Sequence, residues 1–179
     1  MQLEQNFFKL FELVEGYHLD LQQLADRYRL LQKEIHPDRY AHASEREQLR
    51  AVQYTAHVNE ALNTLKSPLK RAQYLLKLRG RELCPESRTV MEPMFLMQQM
   101  EWRERLEGIR HHSDPEAELE LLGDDVQLHW QQLIETFTQS LADSSDEQLD
   151  RACDTVRKMQ FLDKLRREIE QAEDELMDD

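Results

Sequence analysis

The chain has 179 residues, a formal net charge of −13, and only 4 glycines and 5 prolines. With 40% hydrophobic and 33% charged residues, this composition is typical of a soluble helical protein, because a sheet-rich fold needs more turn residues. No apolar run approaches the roughly 18 residues of a membrane span, and the N-terminus lacks a basic segment followed by an apolar one. We therefore expect a cytoplasmic protein that does not associate with membranes.

The charge distribution and the cysteine spacing limit the kinds of partner and site that we expect. Residues 1–80 carry 12 basic and 10 acidic side chains, whereas residues 81–179 carry 11 and 26. A nucleic-acid partner is not expected, since no basic stripe offsets the repulsion between this acidic chain and phosphates. Cys84 and Cys153 have neither metal-binding nor disulfide spacing, so we interpret both as buried or unreactive thiols.

The first half of the chain has the pattern of capped helices. Phe7, Leu10, Phe11 and Val14 predict a short helix that ends at Gly16. A second helix follows a capping box formed by Asp20 and Gln23, and its apolar residues are spaced by three and four: Leu21, Leu24, Tyr28, Leu31 and Ile35. This helix is expected to end near residue 36, because Pro37 removes a backbone donor and disfavours helix in its predecessor.

A second capping box, Ser44 with Glu47, predicts a helix that runs to about Lys66 and packs antiparallel to the previous one. Ser67-Pro68 then caps a short helix that Gly80 terminates. The next segment, RGRELCPESRT, has no apolar period and is interpreted as a linker. The predicted domains are residues 1–79 and 90–179, joined by residues 80–89.

The second half predicts three long helices. The first runs to about His111, the second begins at Asp114-Pro115 and runs to about Leu141, and the third begins at Ser145 and runs to about Met177. Short turns between them favour an antiparallel three-helix bundle. The predicted fold class is therefore all-α, with an N-terminal helical hairpin plus short helices, followed by a C-terminal three-helix bundle.

The first of these three helices has apolar residues on two sides. At about 100° per residue, one stripe forms the expected bundle core: Met91, Phe95, Trp102, Leu106 and Ile109. Leu96, Met97 and Met100 lie on another side, with Glu101 and Glu104 at its rim. On the third helix, Phe161 is likewise about 100° away from the core stripe. These residues form either a docking face or part of a helix that is buried on both sides or that packs on the N-terminal domain.

The tripeptide His36-Pro37-Asp38 lies between the two helices of the hairpin. An acid–base pair would need a pocket and a nucleophile, and the sequence shows neither. A metal site is not expected, because the histidines have neither H-x-x-x-H spacing nor cysteine partners. Two interpretations remain open at this point: a helix-ending turn in which Asp38 forms a local cap, and an element that another protein recognises.

The surrounding sequence resembles a J-domain, whose signature is an HPD loop between antiparallel helices followed by N-x-A-x-x-x-L and P-x-x-R-A-x-Y patterns. Here the pattern residues are Asn59, Ala61, Leu65, Pro68, Arg71, Ala72 and Tyr74, and the resemblance covers residues 5–79. Segments from the C-terminal half, TVMEPMFLMQQMEWRERLEGI and DTVRKMQFLDKLRREIEQAEDEL, are similar to the C-terminal bundle of the HscB family of iron–sulfur co-chaperones. The likeness therefore extends over nearly the whole chain.

The resemblance implies a co-chaperone that is not itself an enzyme. J-domains dock on a DnaK-type chaperone, HscA for this family, and promote ATP hydrolysis in its active site. The residues expected to bind the chaperone ATPase combine the loop with the basic side chains around it: Arg27, Arg29, Lys33, His36, Pro37, Asp38 and Arg39. A cationic face of this kind suits an acidic docking groove.

In the HscB family, the positions that match the second apolar face bind the scaffold protein IscU, on which iron–sulfur clusters are built. The scaffold-binding residues expected here are Leu96, Met97, Met100, Glu101, Glu104 and Phe161. Arg39 replaces the lysine of many J-domains, which keeps the charge but changes its geometry. The N-terminal C-x-x-C zinc module of some eukaryotic relatives is absent from the sequence, so the resemblance is to the bacterial type, and we expect no metal and no cofactor. The alternative function is a helical adaptor without an ATPase-stimulating role.

Overall fold

The computed structural model describes residues 6–35, 40, 43–81, 92–143 and 145–178. These residues form seven α-helices, together with a 3₁₀ turn at Ile109–His111, and no strand occurs among them. The helices are α1 Phe7–Leu10, α2 Leu21–Ile35, α3 Glu45–Lys66, α4 Pro68–Leu78, α5 Pro93–Gly108, α6 Pro115–Ala142 and α7 Asp146–Asp178. The predicted all-α fold is confirmed. The chain divides into two compact units, Met1–Leu78 and Arg79–Asp179.

Helix α1 is shorter than the apolar pattern predicted, and the prediction for Val14 is wrong. The helix ends after one turn, where Glu12 adopts a positive φ of 54°. The Glu12 and Leu13 amides then donate to the carbonyl oxygens of Lys9 and Phe8 at 3.1 and 2.8 Å, which is the hydrogen-bond pattern of a Schellman motif. The reversal buries Leu13 and leaves Val14 88% exposed.

In the N-terminal unit, α2 and α3 form an antiparallel hairpin, as predicted. The Tyr28 hydroxyl near the middle of α2 donates to Asn59 Oδ1 at 2.9 Å, while Ile35 at the end of α2 shares a groove with Ala51 near the start of α3. The α3 capping box is present: the Ser44 side chain accepts from the Glu47 amide, and the Glu47 carboxylate accepts from the Ser44 amide at 3.0 Å.

Helix α4 locks the hairpin to the N-terminal segment through two residues of the P-x-x-R-A-x-Y pattern. Arg71 is buried, and its guanidinium donates to the carbonyl oxygens of Leu65 and Tyr17 at 2.8 and 2.5 Å. The Tyr74 hydroxyl accepts from the Phe7 amide at 3.0 Å, and the two rings stack with centroids 4.4 Å apart. These two pattern residues thus hold the N-terminal unit together.

The C-terminal unit is an up-down-up bundle. Helix α5 runs antiparallel to α6, since Trp102 contacts Asp125 while Arg105, further along α5, contacts the earlier residue Glu118. Helices α6 and α7, of 28 and 33 residues, make the longest contact in the unit. Gly123 does not interrupt α6, and a Cβ atom there would lie 3.9 Å from Ile169 on α7, at ordinary van der Waals distance. Helix α5 therefore packs against the long antiparallel pair formed by α6 and α7.

Candidate functional site

The outer side of α5 carries an exposed apolar surface, which we call the methionine face. Leu96, Met97 and Met100 are 43%, 67% and 72% exposed. Met94, which the sequence analysis did not include, is also 72% exposed and precedes Met97 by three residues, so it extends the same surface. The interpretation of α5 as a helix buried on both sides is therefore wrong. Large apolar side chains grouped on one exposed surface are typical of a protein-binding site.

The opposite side of α5 anchors it to the bundle through Trp102, which is fully buried. Its indole Nε1 donates to Asp125 Oδ2 at 2.8 Å, and the ring meets the His129 ring edge-on at 4.9 Å. Asp125 Oδ2 also accepts from Arg105 Nη1 at 3.3 Å. The buried polar atoms of this contact are thus satisfied, which holds the backbone of α5 in place.

Phe161 does not lie free on the exposed surface, contrary to the expectation of a single exposed patch. It is half-buried, and its ring lies nearly parallel to the Trp102 ring at 6.4 Å and edge-on to the Phe95 ring at 6.0 Å. The Arg103 guanidinium carbon lies 5.6 Å from the Phe161 ring centroid, and Arg103 also pairs with Glu168 of α7. Phe161 therefore fastens α7 to α5 and presents only part of its ring to solvent.

A prediction follows for Phe161→Ala. Truncation removes two ring contacts and opens space beside Trp102, so we expect the C-terminal unit to lose about 1.5–3 kcal/mol of unfolding free energy, less than for a fully buried phenylalanine. Urea unfolding followed by tryptophan fluorescence measures this loss directly, because Trp102 and Trp130 both belong to this unit. An unchanged unfolding midpoint would mean that Phe161 serves the exposed surface alone.

The rim of the methionine face is acidic. Glu101 and Glu104 are both exposed, and Glu101 Oε2 accepts from Gln98 Nε2 at 3.2 Å. At the start of α5, Lys158 Nζ donates to Glu92 at 2.8 Å, and this hydrogen bond together with the lysine charge lowers the pKa of the Glu92 carboxyl. Two exposed carboxylates beside an apolar surface favour a partner with basic side chains around an apolar centre.

A groove of about 330 Å³ borders Met94 on the side facing α6 and is lined by Phe95, Gln98, His129, Gln132, Leu133 and Thr136, with Glu92 and Lys158 at its end. The His129 ring is oriented by its Nδ1 atom, 2.9 Å from the Asp125 carbonyl oxygen. Among the described residues, no group of three histidine, cysteine, aspartate or glutamate side chains is placed to hold a metal ion. The groove is thus a recess of mixed polar and apolar lining beside the methionine face.

In the N-terminal unit, the predicted basic face is a mixture of charges. Arg27 forms an ion pair with Glu12 at 2.7 Å, and Arg29 forms one with Asp26 at 2.8 Å. Lys33 is exposed near the end of α2. Such exposed pairs contribute little free energy and exchange partners readily, so both arginines remain available to a carboxylate on another protein. His36, Pro37, Asp38 and Arg39 lie outside the described residues.

Cys153 is buried on α7, and burial raises the pKa of its thiol, which keeps it protonated and unreactive near neutral pH. Cys84 lies outside the described residues. None of the helices in the described part of the chain is long and apolar enough to cross a membrane.

Comparison with known proteins matches both units. Residues 91–170 match the family model described as the HSCB C-terminal oligomerisation domain. The co-chaperone protein HscB homolog of Aeromonas hydrophila is 50% identical over 97% of this chain and 99% of its own length. The chain belongs to the HscB family of co-chaperones.

Two solved HscB structures support the same assignment. Chaperone HscB from Vibrio cholerae is 42% identical, superposes with a TM-score of 0.85 and is matched over 96% of this chain and 99% of its own. Human co-chaperone protein HscB is 25% identical, with a TM-score of 0.83 over 95% of this chain and 83% of the human one. The co-chaperone role follows from this family membership.

Proposed function

We propose that this HscB-family chain stimulates the ATPase of HscA, a DnaK-type chaperone, and delivers the iron–sulfur scaffold IscU to it in the cytoplasm. The observation that carries the proposal is the methionine face. An adaptor needs one contact surface for each partner. This chain has an apolar surface on a rigidly anchored helix for the scaffold, and it also contains the His36-Pro37-Asp38 tripeptide for the chaperone. ATP hydrolysis takes place in the partner, and this chain supplies the contacts that promote it.

The scaffold-binding half of the proposal assigns Leu96, Met97 and Met100 to the centre of the contact. Methionine side chains adapt to the partner surface because they are unbranched and polarisable. Glu101 and Glu104 lie at the rim, where they orient a partner with basic residues and exclude those with acidic ones. Phe161 contributes the exposed part of its ring while its buried part supports the helix beneath.

The chaperone-binding half assigns His36, Pro37 and Asp38 to docking, with Arg27, Arg29, Lys33 and Arg39 around them. Helix α2 ends at Ile35, directly before the tripeptide, and its outward side carries Arg29 and Lys33. In this proposal, Arg27 and Arg29 exchange their intramolecular carboxylates for carboxylates of the ATPase on docking. The exchange conserves the number of ion pairs, so it directs orientation and association more than affinity.

Steady-state ATPase measurements on HscA, with this protein and IscU added separately and together, test the proposal as a whole. We expect stimulation by this protein alone and greater stimulation when IscU is also present, since binding both partners brings the scaffold to the chaperone. If this protein binds IscU but leaves the ATPase rate of HscA unchanged, the chain is a helical adaptor without an ATPase-stimulating role.

A salt titration tests the basic residues of α2. We expect association with HscA to slow by about 3- to 10-fold between low and physiological ionic strength, because exposed charges beyond roughly 8–10 Å become screened. In the Arg29→Ala/Lys33→Ala variant, association at low salt should be slower and its salt dependence weaker. Stopped-flow or surface-binding kinetics give both rates.

The matched control is Lys164→Ala/Arg167→Ala, which removes two exposed cations from α7 of the other unit. It changes the net charge by the same amount, so it separates an effect of the α2 cations themselves from an effect of the overall charge of the chain. If the rate of association with HscA depends equally on salt in wild type, the α2 variant and the α7 variant, the α2 cations do not contribute to docking.

A further inference from the structure

Three methionines form a row of exposed thioethers on α5. Met94, Met97 and Met100 are spaced by three residues, so that each side chain lies beside the next on adjoining turns of the helix. Their exposures of 72%, 67% and 72% place all three sulphur-bearing side chains in contact with solvent. Trp102, two residues after Met100, is fully buried, so Met97 and Met100 lie on the side of the helix opposite the core contact, and Met94 continues the row towards the groove beside α6.

Two other methionines provide internal comparisons. Met159 on α7 is fully buried in the bundle core, and Met177 near the end of α7 is 83% exposed. Oxidation of methionine by a peroxide requires access to the sulphur atom. Among the described residues, the methionines thus comprise an accessible row on the methionine face, one protected thioether, and one accessible thioether outside that face.

We propose that Met94, Met97 and Met100 are a site of oxidative modification, and that their conversion to sulfoxides by hydrogen peroxide weakens the binding of IscU. The inference rests on the scaffold-binding role proposed for the methionine face. A sulphur lone pair attacks one peroxide oxygen, an S–O bond forms as the O–O bond breaks, and the departing hydroxide takes up the remaining proton as water. Each sulphur is oxidised by two electrons, and the peroxide is reduced.

The loss of binding follows from polarity. A thioether is apolar and fits against an apolar partner surface, whereas a sulfoxide adds a strongly polar oxygen that loses its water when the contact forms. Burying such a group without a hydrogen-bond donor weakens binding by about tenfold per group. The bundle itself should stay folded, because these three residues lie on the solvent side of α5 and the buried Trp102 contacts hold the helix.

The test begins with the purified full chain, treated with hydrogen peroxide and then catalase before IscU is added. Peptide mass spectrometry should find one added oxygen atom on Met94, Met97, Met100 and Met177, with Met159 unchanged. Titration with untreated IscU should give at least about tenfold weaker binding than the unoxidised protein. Methionine sulfoxide reductases should restore the affinity, because they reduce the sulfoxide back to the thioether.

Two variants identify the responsible residues. Met177→Leu should lose IscU affinity on oxidation as wild type does, since Met177 lies outside the methionine face. The triple variant Met94→Leu/Met97→Leu/Met100→Leu has no sulphur at the proposed site, so its affinity before and after peroxide should agree within about twofold, whatever its starting value.

Three outcomes would overturn the proposal. The first is that the three methionines remain reduced under conditions that oxidise Met177. The second is that the oxidised wild type binds IscU as tightly as the untreated protein. The third is that the triple variant loses affinity to the same extent as wild type. If the untreated protein fails to bind IscU, the scaffold-binding proposal falls and this one falls with it. If the untreated protein binds and peroxide has no effect, only the oxidation proposal falls.

Discussion

His36→Gln is expected to abolish stimulation of the HscA ATPase while helical content and IscU binding remain at wild-type levels. The substitution keeps a polar side chain of moderate size but removes the imidazole ring from the tripeptide. The cores of the two units are formed by side chains such as Leu24, Val58 and Trp102, and a connecting segment between helices contributes little to them. The effect should therefore appear in the partner's chemistry and not in the fold of this chain.

Three measurements on the same preparation separate these effects: steady-state HscA ATPase, far-ultraviolet circular dichroism and IscU titration. The matched control is His18→Gln, which makes the same chemical change at an exposed histidine of the N-terminal unit outside the tripeptide. It should stimulate as wild type does. Normal stimulation by His36→Gln, or loss of helix in that variant, would contradict the docking role.

Trp102→Ala is expected to lower the stability of the C-terminal unit, whereas Met100→Ala is expected to weaken IscU binding with little change in stability, although the two residues are only two positions apart on α5. Trp102 is fully buried and its indole is hydrogen-bonded to Asp125, so its removal should cost about 3–5 kcal/mol of unfolding free energy. Met100 is 72% exposed, so its truncation should change stability by less than about 1 kcal/mol. In IscU binding, Met100→Ala should cost about 1–3 kcal/mol, as expected for the centre of a contact.

Urea unfolding and IscU titration of both variants test this contrast. Trp130 remains as a fluorescent reporter of the C-terminal unit when Trp102 is replaced. Leu128→Ala is the matched control for Met100→Ala, because Leu128 is a comparably exposed apolar residue, at 57%, on α6, and we expect it to affect neither quantity strongly. Early unfolding of Met100→Ala, or equal loss of IscU binding in Leu128→Ala, would contradict the assignment of the methionine face.

Several helix boundaries were predictable because the helix ends are encoded locally. Ser44 and Glu47 form a capping box within four residues of chain, and the Asp114 side chain accepts from the Ala117 amide at the start of α6. Such contacts depend only on neighbouring residues, so a sequence pattern suffices to place them. The end of α1 was missed because it depends on Glu12 at positive φ, a conformation that is rare for a residue with a side chain.

The candidate surfaces were predictable only in part, because exposure depends on what packs against a helix. The angular positions of Met97 and Met100 on α5 predicted solvent exposure correctly, since the side of a helix opposite its core stripe has no neighbour in a three-helix bundle. Phe161 has a similar angular offset on α7, yet it is half-buried against Phe95 and Trp102. A helical wheel gives the direction of a side chain but not the position of the neighbouring helix.

The sequence by itself determined the all-α class, the order of the helices, the family resemblance and the two-sided character of α5, because each follows from local spacing and residue type. Only the tertiary structure decided that Arg71 and Tyr74 of the signature pattern lock the N-terminal unit, that Arg27 and Arg29 already hold carboxylate partners, and that Phe161 supports α5. These contacts, apart from the local pairs of Arg29 with Asp26 and of Arg71 with Leu65, join residues that are distant in the chain. Their formation depends on how the helices pack, which no single helix specifies.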